Sequence, residues 1–128
     1  LVRRGMYEVG NNPDGGTAYK LIHTAVVPLA VKTGTAQVVG ISQAEKKRIK
    51  EEDMEYLRRS HAWVTTYGPY EEPRYVVTVI IEHGGHGGLA AGPLTAKIFN
   101  KLLEMGYIDQ KYEITSIADT EAAQKKKN

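Results

Sequence analysis

The strongest constraint in this chain is a pair of strand-like runs joined by a short turn. Residues 61–67 read His-Ala-Trp-Val-Thr-Thr-Tyr, and residues 74–82 read Arg-Tyr-Val-Val-Thr-Val-Ile-Ile-Glu. Between them lies Gly68-Pro69-Tyr70-Glu71-Glu72-Pro73. Aromatic and β-branched residues fill both runs, and glycine and proline punctuate the link. So short a link makes the pair an antiparallel hairpin, because a parallel crossover needs about a dozen residues or more. The second run is almost continuously apolar, which predicts a central strand covered on both faces. Trp63 is expected in the core.

The flanking segments complete a layered unit. Val26-Val27-Pro28-Leu29-Ala30-Val31 leads into Lys32-Thr33-Gly34-Thr35 and on to Val39. This predicts a third strand of about ten residues. Pro28 cannot donate to a ladder, so it marks an edge strand or its start. Leu1, Val2, Met6 and Val9 have loose helical spacing, and the turn residues at 11–16 end that helix. Residues 83–92 read as a glycine-rich loop. Pro93 suits the first position of a helix in which Leu94, Ile98 and Leu102, with Phe99 and Leu103, form an apolar face. Gly106 sits where a C-terminal cap belongs. The expected fold class is α+β, an antiparallel sheet flanked by helices. Residues 1–108 form the folded unit, with a charged insertion at about 41–60 that reads as an exposed helix. That helix is a solvated face first and a partner surface or cleft lid second. Residues 109–128, ending in Lys125-Lys126-Lys127, read as a flexible tail.

Composition narrows the chemistry. A formal charge of +2 over 128 residues gives no global case for nucleic acid, and acids balance bases within the insertion. The absence of cysteine excludes disulfides, thiolate catalysis and cysteine zinc sites. No metal is expected, because His83 and His86 lack a nearby third ligand and read as solvated loop residues. His23 and His61 read as isolated and structural. No cofactor is expected either. Gly85-His86-Gly87-Gly88-Leu89-Ala90 imitates a dinucleotide fingerprint, with Asp109 downstream, but it follows a hairpin rather than opening a βαβ unit. Its glycines read as a tight strand-to-helix passage. The start Leu1-Val2-Arg3-Arg4 suggests a slice of a longer protein, which leaves room upstream for an anchor or a signal.

Lys32-Thr33-Gly34-Thr35 carries the clearest chemistry. On a strand, Thr33 and Thr35 face one side and can present two hydroxyls to a carboxylate. The Lys32 ammonium makes the cleft positive. Gly34 removes a side chain where a substrate must approach the backbone. The Thr35 backbone N–H can serve an oxyanion. By itself the tetrapeptide also fits a polar edge strand with a glycine bulge.

Further segments decide between these. Gly15-Gly16-Thr17-Ala18 precedes Val31-Lys32-Thr33-Gly34-Thr35-Ala36-Gln37-Val38. His61-Ala62-Trp63, Thr66-Tyr67-Gly68-Pro69-Tyr70 and Val79-Ile80-Ile81-Glu82-His83-Gly84-Gly85 follow. In this combination the chain resembles class B penicillin-binding proteins of the elongation type, over roughly residues 1–106.

The resemblance implies a serine D,D-transpeptidase that cross-links peptidoglycan stem peptides and is acylated by β-lactams. It implies catalytic roles for Lys32 and Thr35 and substrate binding by Thr33, Gly34 and Thr35. It also implies a periplasmic location behind a membrane anchor, with an elongation glycosyltransferase and a rod-shape scaffold protein as partners. The nucleophile motif Ser-x-x-Lys fails at Ser42, Ser60 and Ser116. The remainder of the same transpeptidase domain is therefore the first partner expected, and these residues alone are expected to be inactive. The alternatives are a division-type transpeptidase and a non-catalytic penicillin-binding sensor or scaffold. Ser-x-x-Lys elsewhere in the full protein separates enzyme from sensor.

Overall fold

The computed structural model describes residues 1–38, 40 and 49–112. In chain order these form α1 (Val2–Asn11), α2 (Tyr19–Ile22), β1 (Ala30–Ala36), two 3-10 turns (Glu51–Asp53 and Tyr56–Arg58), β2 (His61–Gly68), β3 (Tyr75–Ile81) and α3 (Gly87–Glu104). Among the described residues the sheet has the order β1-β2-β3, and both pairings are antiparallel. This is the α+β layer expected, with α3 against one face. The core gathers Val27, Leu29, Val31, Val64, Phe99 and Ile108, each at most 2% exposed.

The central strand is β2, not β3 as its apolar run suggests. β3 alternates half-buried and exposed positions, with Val76 72% and Ile80 46% exposed. Its apolar continuity marks an apolar outer face rather than two covered ones. Trp63 pairs with Ile80 across that face and is 39% exposed, so it is not a core residue.

Strand β1 begins at Ala30, later than expected, because hydrogen bonds outside the sheet ladder capture the preceding backbone. Asn100 Oδ1 accepts from the Val26 amide at 2.8 Å, and its Nδ2 donates to the Thr24 carbonyl at 2.8 Å. The Pro28 carbonyl accepts from the Tyr70 amide at 2.9 Å. Asn11 Nδ2 donates to the Leu29 carbonyl at 2.7 Å, which ties the end of α1 to the start of β1. Val39 lies outside the described residues.

The expected insertion helix is replaced, where described, by the two 3-10 turns. Arg59 Nε donates to the Met54 carbonyl at 3.0 Å and an Arg59 terminal nitrogen to the Glu52 carbonyl at 3.2 Å. These carbonyls serve a side chain instead of a helical ladder. Ile49, Tyr56 and Leu57 stay more than half exposed, so no apolar stripe is buried to support a helix. Residues 41–48 of the insertion lie outside the described residues.

Helix α3 starts at Gly87, and Pro93 falls inside it. Its early start depends on packing that local sequence does not reveal. Gly88 and Gly92 lie one turn apart on the face toward Leu21 of α2. A Cβ at Gly88 would meet Leu21 Cδ1 at 2.7 Å, and one at Gly92 would meet Leu21 Cβ at 2.9 Å. The first obstacle is the tip of a mobile side chain; the second is fixed to the backbone. Helix propensity favours Ala over Gly by about 1 kcal/mol at either site. Gly88→Ala is therefore expected to be neutral or slightly stabilising, and Gly92→Ala to cost about 1 kcal/mol net. Urea denaturation of the two variants checks the contrast.

Gly106, at φ 80°, closes α3. The chain then returns Ile108 to the core, and Gln110 Nε2 donates to the Leu103 carbonyl at 2.6 Å. Residues 113–128 of the expected tail lie outside the described residues.

Candidate active-site wall

The edge of β1 away from β2 borders an open cavity of about 840 Å³. Lys32, Thr33, Gly34 and Thr35 form one wall. The turn and short helix from Pro13 to Leu21 form a second, and His86, Gly88 and Leu89 a third. The four motif residues are thus together, and two other segments converge on them.

Strand alternation divides the motif between the faces of the sheet. Thr33 leans toward α3, with its Cγ2 3.5 Å from where a Cβ on Gly88 would sit, and Thr35 shares that face. Lys32 pairs with Thr65 and Gly34 with Trp63, on the opposite face. There a second open cavity of about 360 Å³ is lined by residues 32–36, Trp63 and Thr65. Residues 32–35 thus line both cavities. Lys32 Nζ donates to the Thr33 carbonyl at 2.6 Å, so its ammonium is held at that rim by its own strand.

Gly34 has no internal reason to be glycine. Pairing between β1 and β2 runs unbroken from Ala30 opposite Tyr67 to Ala36 opposite His61, so there is no bulge. Its φ is not positive. A Cβ there would make an ordinary 3.5 Å contact with Trp63 Cβ. Packing within this chain therefore tolerates a methyl at a position that faces open space on the motif strand.

Sequence reading missed Asp14, Thr17, Tyr19, Lys20 and His86, all of which line the larger cavity. The segment 15–18 carried a signal only as part of the family resemblance. Helix α2 is four residues long, too short for periodicity to show. The histidines also need correction. His86 is exposed, but His83 is half-buried, with its ring edge-on to His61 at 4.7 Å and 5.3 Å from the Tyr56 ring. His61 is accordingly not isolated. Among the described residues, no cluster of three or more His, Cys, Asp or Glu could hold a metal. No described helix is long and apolar enough to cross a membrane.

Comparison with known proteins gives a consistent result. Residues 1–104 match the family model described as penicillin binding protein transpeptidase domain. Peptidoglycan D,D-transpeptidase MrdA of Salmonella typhimurium is 37% identical over 105 residues, covering 81% of this chain and 16% of that protein. MrdA of Haemophilus influenzae is 40% identical over 101 residues, covering 79% of this chain and 15% of that protein. Among solved structures, penicillin-binding protein PBP2 from Helicobacter pylori, in complex with MreC, is 48% identical with a TM-score of 0.68. It covers 83% of this chain and 17% of that one. PBP2 from Pseudomonas aeruginosa is 28% identical with a TM-score of 0.60, covering 79% of this chain and 18% of that one. The chain thus spans about one sixth of the length of these relatives.

Proposed function

Because this chain belongs to the penicillin-binding protein transpeptidase family, we propose that it forms one wall of the active site of an elongation-type peptidoglycan D,D-transpeptidase. The observation that carries the proposal is the motif strand itself. Lys32, Thr33, Gly34 and Thr35 lie on an unbroken edge strand facing open space, and Gly34 is not required there by packing. Residues 1–108 are the C-terminal part of the transpeptidase domain in this reading. The rest of the domain supplies the serine nucleophile and covers the apolar outer face that bears Trp63, Val76 and Ile80.

In this reading the chemistry is that of the family. The serine oxygen attacks the carbonyl of the D-Ala-D-Ala bond of a stem peptide, and the terminal D-Ala leaves as its amine takes a proton. The amine of a neighbouring stem then attacks the acyl-enzyme, releasing the serine and forming the cross-link. β-Lactams acylate the same serine by ring opening. Lys32 draws the anionic substrate and supports proton traffic. The Thr33 and Thr35 hydroxyls bind the terminal carboxylate. The protein works at the periplasmic face of the inner membrane, held by an anchor outside this chain. An elongation glycosyltransferase and a rod-shape scaffold are its partners; the Helicobacter relative has been solved with MreC.

Fluorescent penicillin provides the test. The full-length protein is expected to be labelled covalently. Gly34→Ala is expected to slow labelling about tenfold, because the added methyl obstructs the approach of ligand to the strand. Absence of labelling in the unmodified full-length protein would sink the reading. Equal labelling of Gly34→Ala would remove Gly34 from the site.

A further inference from the structure

We propose that His61 and His83 form a proton-sensitive latch that positions the cavity-lining strand and the loop leading into α3. The His83 backbone N–H donates to His61 Nδ1 at 2.9 Å. An imidazolium carries protons on both nitrogens and has no lone pair to accept with, so this bond exists only while His61 is neutral with its proton on Nε2. His83 Nδ1 lies 3.1 Å from the Arg59 carbonyl, which can only accept. That contact survives in either charge state of His83. Sensitivity to protons therefore resides in His61.

The latch sits where it can reach the site. His61 pairs with Ala36, the residue after Thr35 on β1. His83 adopts φ 54°, a region sparsely populated by non-glycine residues, so contacts hold it there. Two residues on, the Gly85 amide donates to the Ser60 carbonyl at 2.9 Å, and the chain enters His86 and Gly88 in the cavity wall. The described neighbours that carry charge or titrate are His83, Tyr56 against the His83 ring, Arg59 on the preceding turn, and Glu82. Glu82 is exposed and follows Ile81, the last residue of β3, which pairs with Ala62 beside His61. β1 contributes the uncharged Ala36.

Two variants of the full-length protein test the latch. In His61→Asn an amide oxygen occupies the place of Nδ1 and accepts without titrating; His61→Val removes the acceptor. Two readouts are followed between about pH 8 and pH 5, where imidazoles gain charge. One is the rate of acylation by fluorescent penicillin. The other is amide exchange at His83 relative to Gly85, whose carbonyl acceptor does not titrate. At high pH wild type and His61→Asn should acylate alike, with His61→Val about fivefold slower. On acidification wild type should fall about fivefold relative to His61→Asn, and its relative His83 exchange should rise by a similar factor. Parallel acylation profiles for wild type and His61→Asn would overturn the positioning role. Relative exchange that does not change with pH would overturn the latch itself. The acylation readout rests on the transpeptidase reading, but the exchange readout does not, so an enzyme that takes no penicillin still leaves the latch decided.

Discussion

Replacing Lys32 by Ala in the full-length protein is expected to slow acylation by a penicillin about a hundredfold or more, with no change in melting temperature. The magnitude is that of a group taking part in proton transfer, about 100- to 10,000-fold. The stability expectation comes from the surroundings. Lys32 is exposed, and its Nζ bond goes to the carbonyl of the next residue on its own strand. Among the described residues truncation thus opens no cavity and strands no buried partner, which keeps the cost to this unit within about 0.5 kcal/mol. If Lys32 only steered anionic ligands through its charge, the loss would be small and would vanish at high salt, because exposed charges are screened within about 10 Å at 0.1 M. A large loss that persists in salt therefore distinguishes chemistry from steering. The second-order labelling rate with a fluorescent penicillin, at low and high salt, gives both answers. A folded Lys32→Ala variant labelled at the wild-type rate would remove the motif from the site.

What could be read in the sequence depended on how local its cause was. The hairpin was legible because turn residues and β-branched runs act over a few positions. The motif strand was legible because four polar or small residues interrupt an apolar run beside it. The identity of the central strand was not legible, since it depends on β1 reaching back across the insertion to β2. Val76 and Ile80 face outward, which no periodicity could show. The start of α3 was hidden for a related reason. Gly88 and Gly92 look like loop residues locally, but they are the flat face against which Leu21 packs. Asn100 and Val26 bond across 74 positions, and His61 and His83 across 22. Side-chain-to-backbone bonds at such separations leave no pattern in a single sequence. The larger cavity shares this property, because its walls come from three segments, of which only the strand announced itself.

Gly16→Ala tests the second wall of that cavity, and its expected cost is large. A Cβ on Gly16 would lie 2.6 Å from the Asn12 carbonyl oxygen and 2.7 Å from those of Glu8 and Val9. All three obstacles are backbone atoms, and all three are already engaged. The Asn12 carbonyl accepts from the Gly16 amide at 2.9 Å, the Val9 carbonyl from the Ala18 amide at 3.0 Å, and the Glu8 carbonyl from the Asn12 amide at 3.0 Å. No rotamer change relieves such a clash, so the end of α1 must separate from the following turn. The cost is expected at the upper end of the overpacking range, about 3 kcal/mol. Gly15 is the control, since a Cβ there meets nothing within 4 Å although the residue lines the same cavity. Turn flexibility alone would make both glycines matter similarly. Crowding makes Gly16 intolerant and Gly15 permissive. Urea midpoints should fall sharply for Gly16→Ala and stay near wild type for Gly15→Ala; equal midpoints would refute the crowding argument. Since residues 13–21 form a cavity wall, the Gly16 variant should also lose labelling by penicillin while Gly15→Ala retains it, which ties the shape of the site to backbone contact at the end of α1.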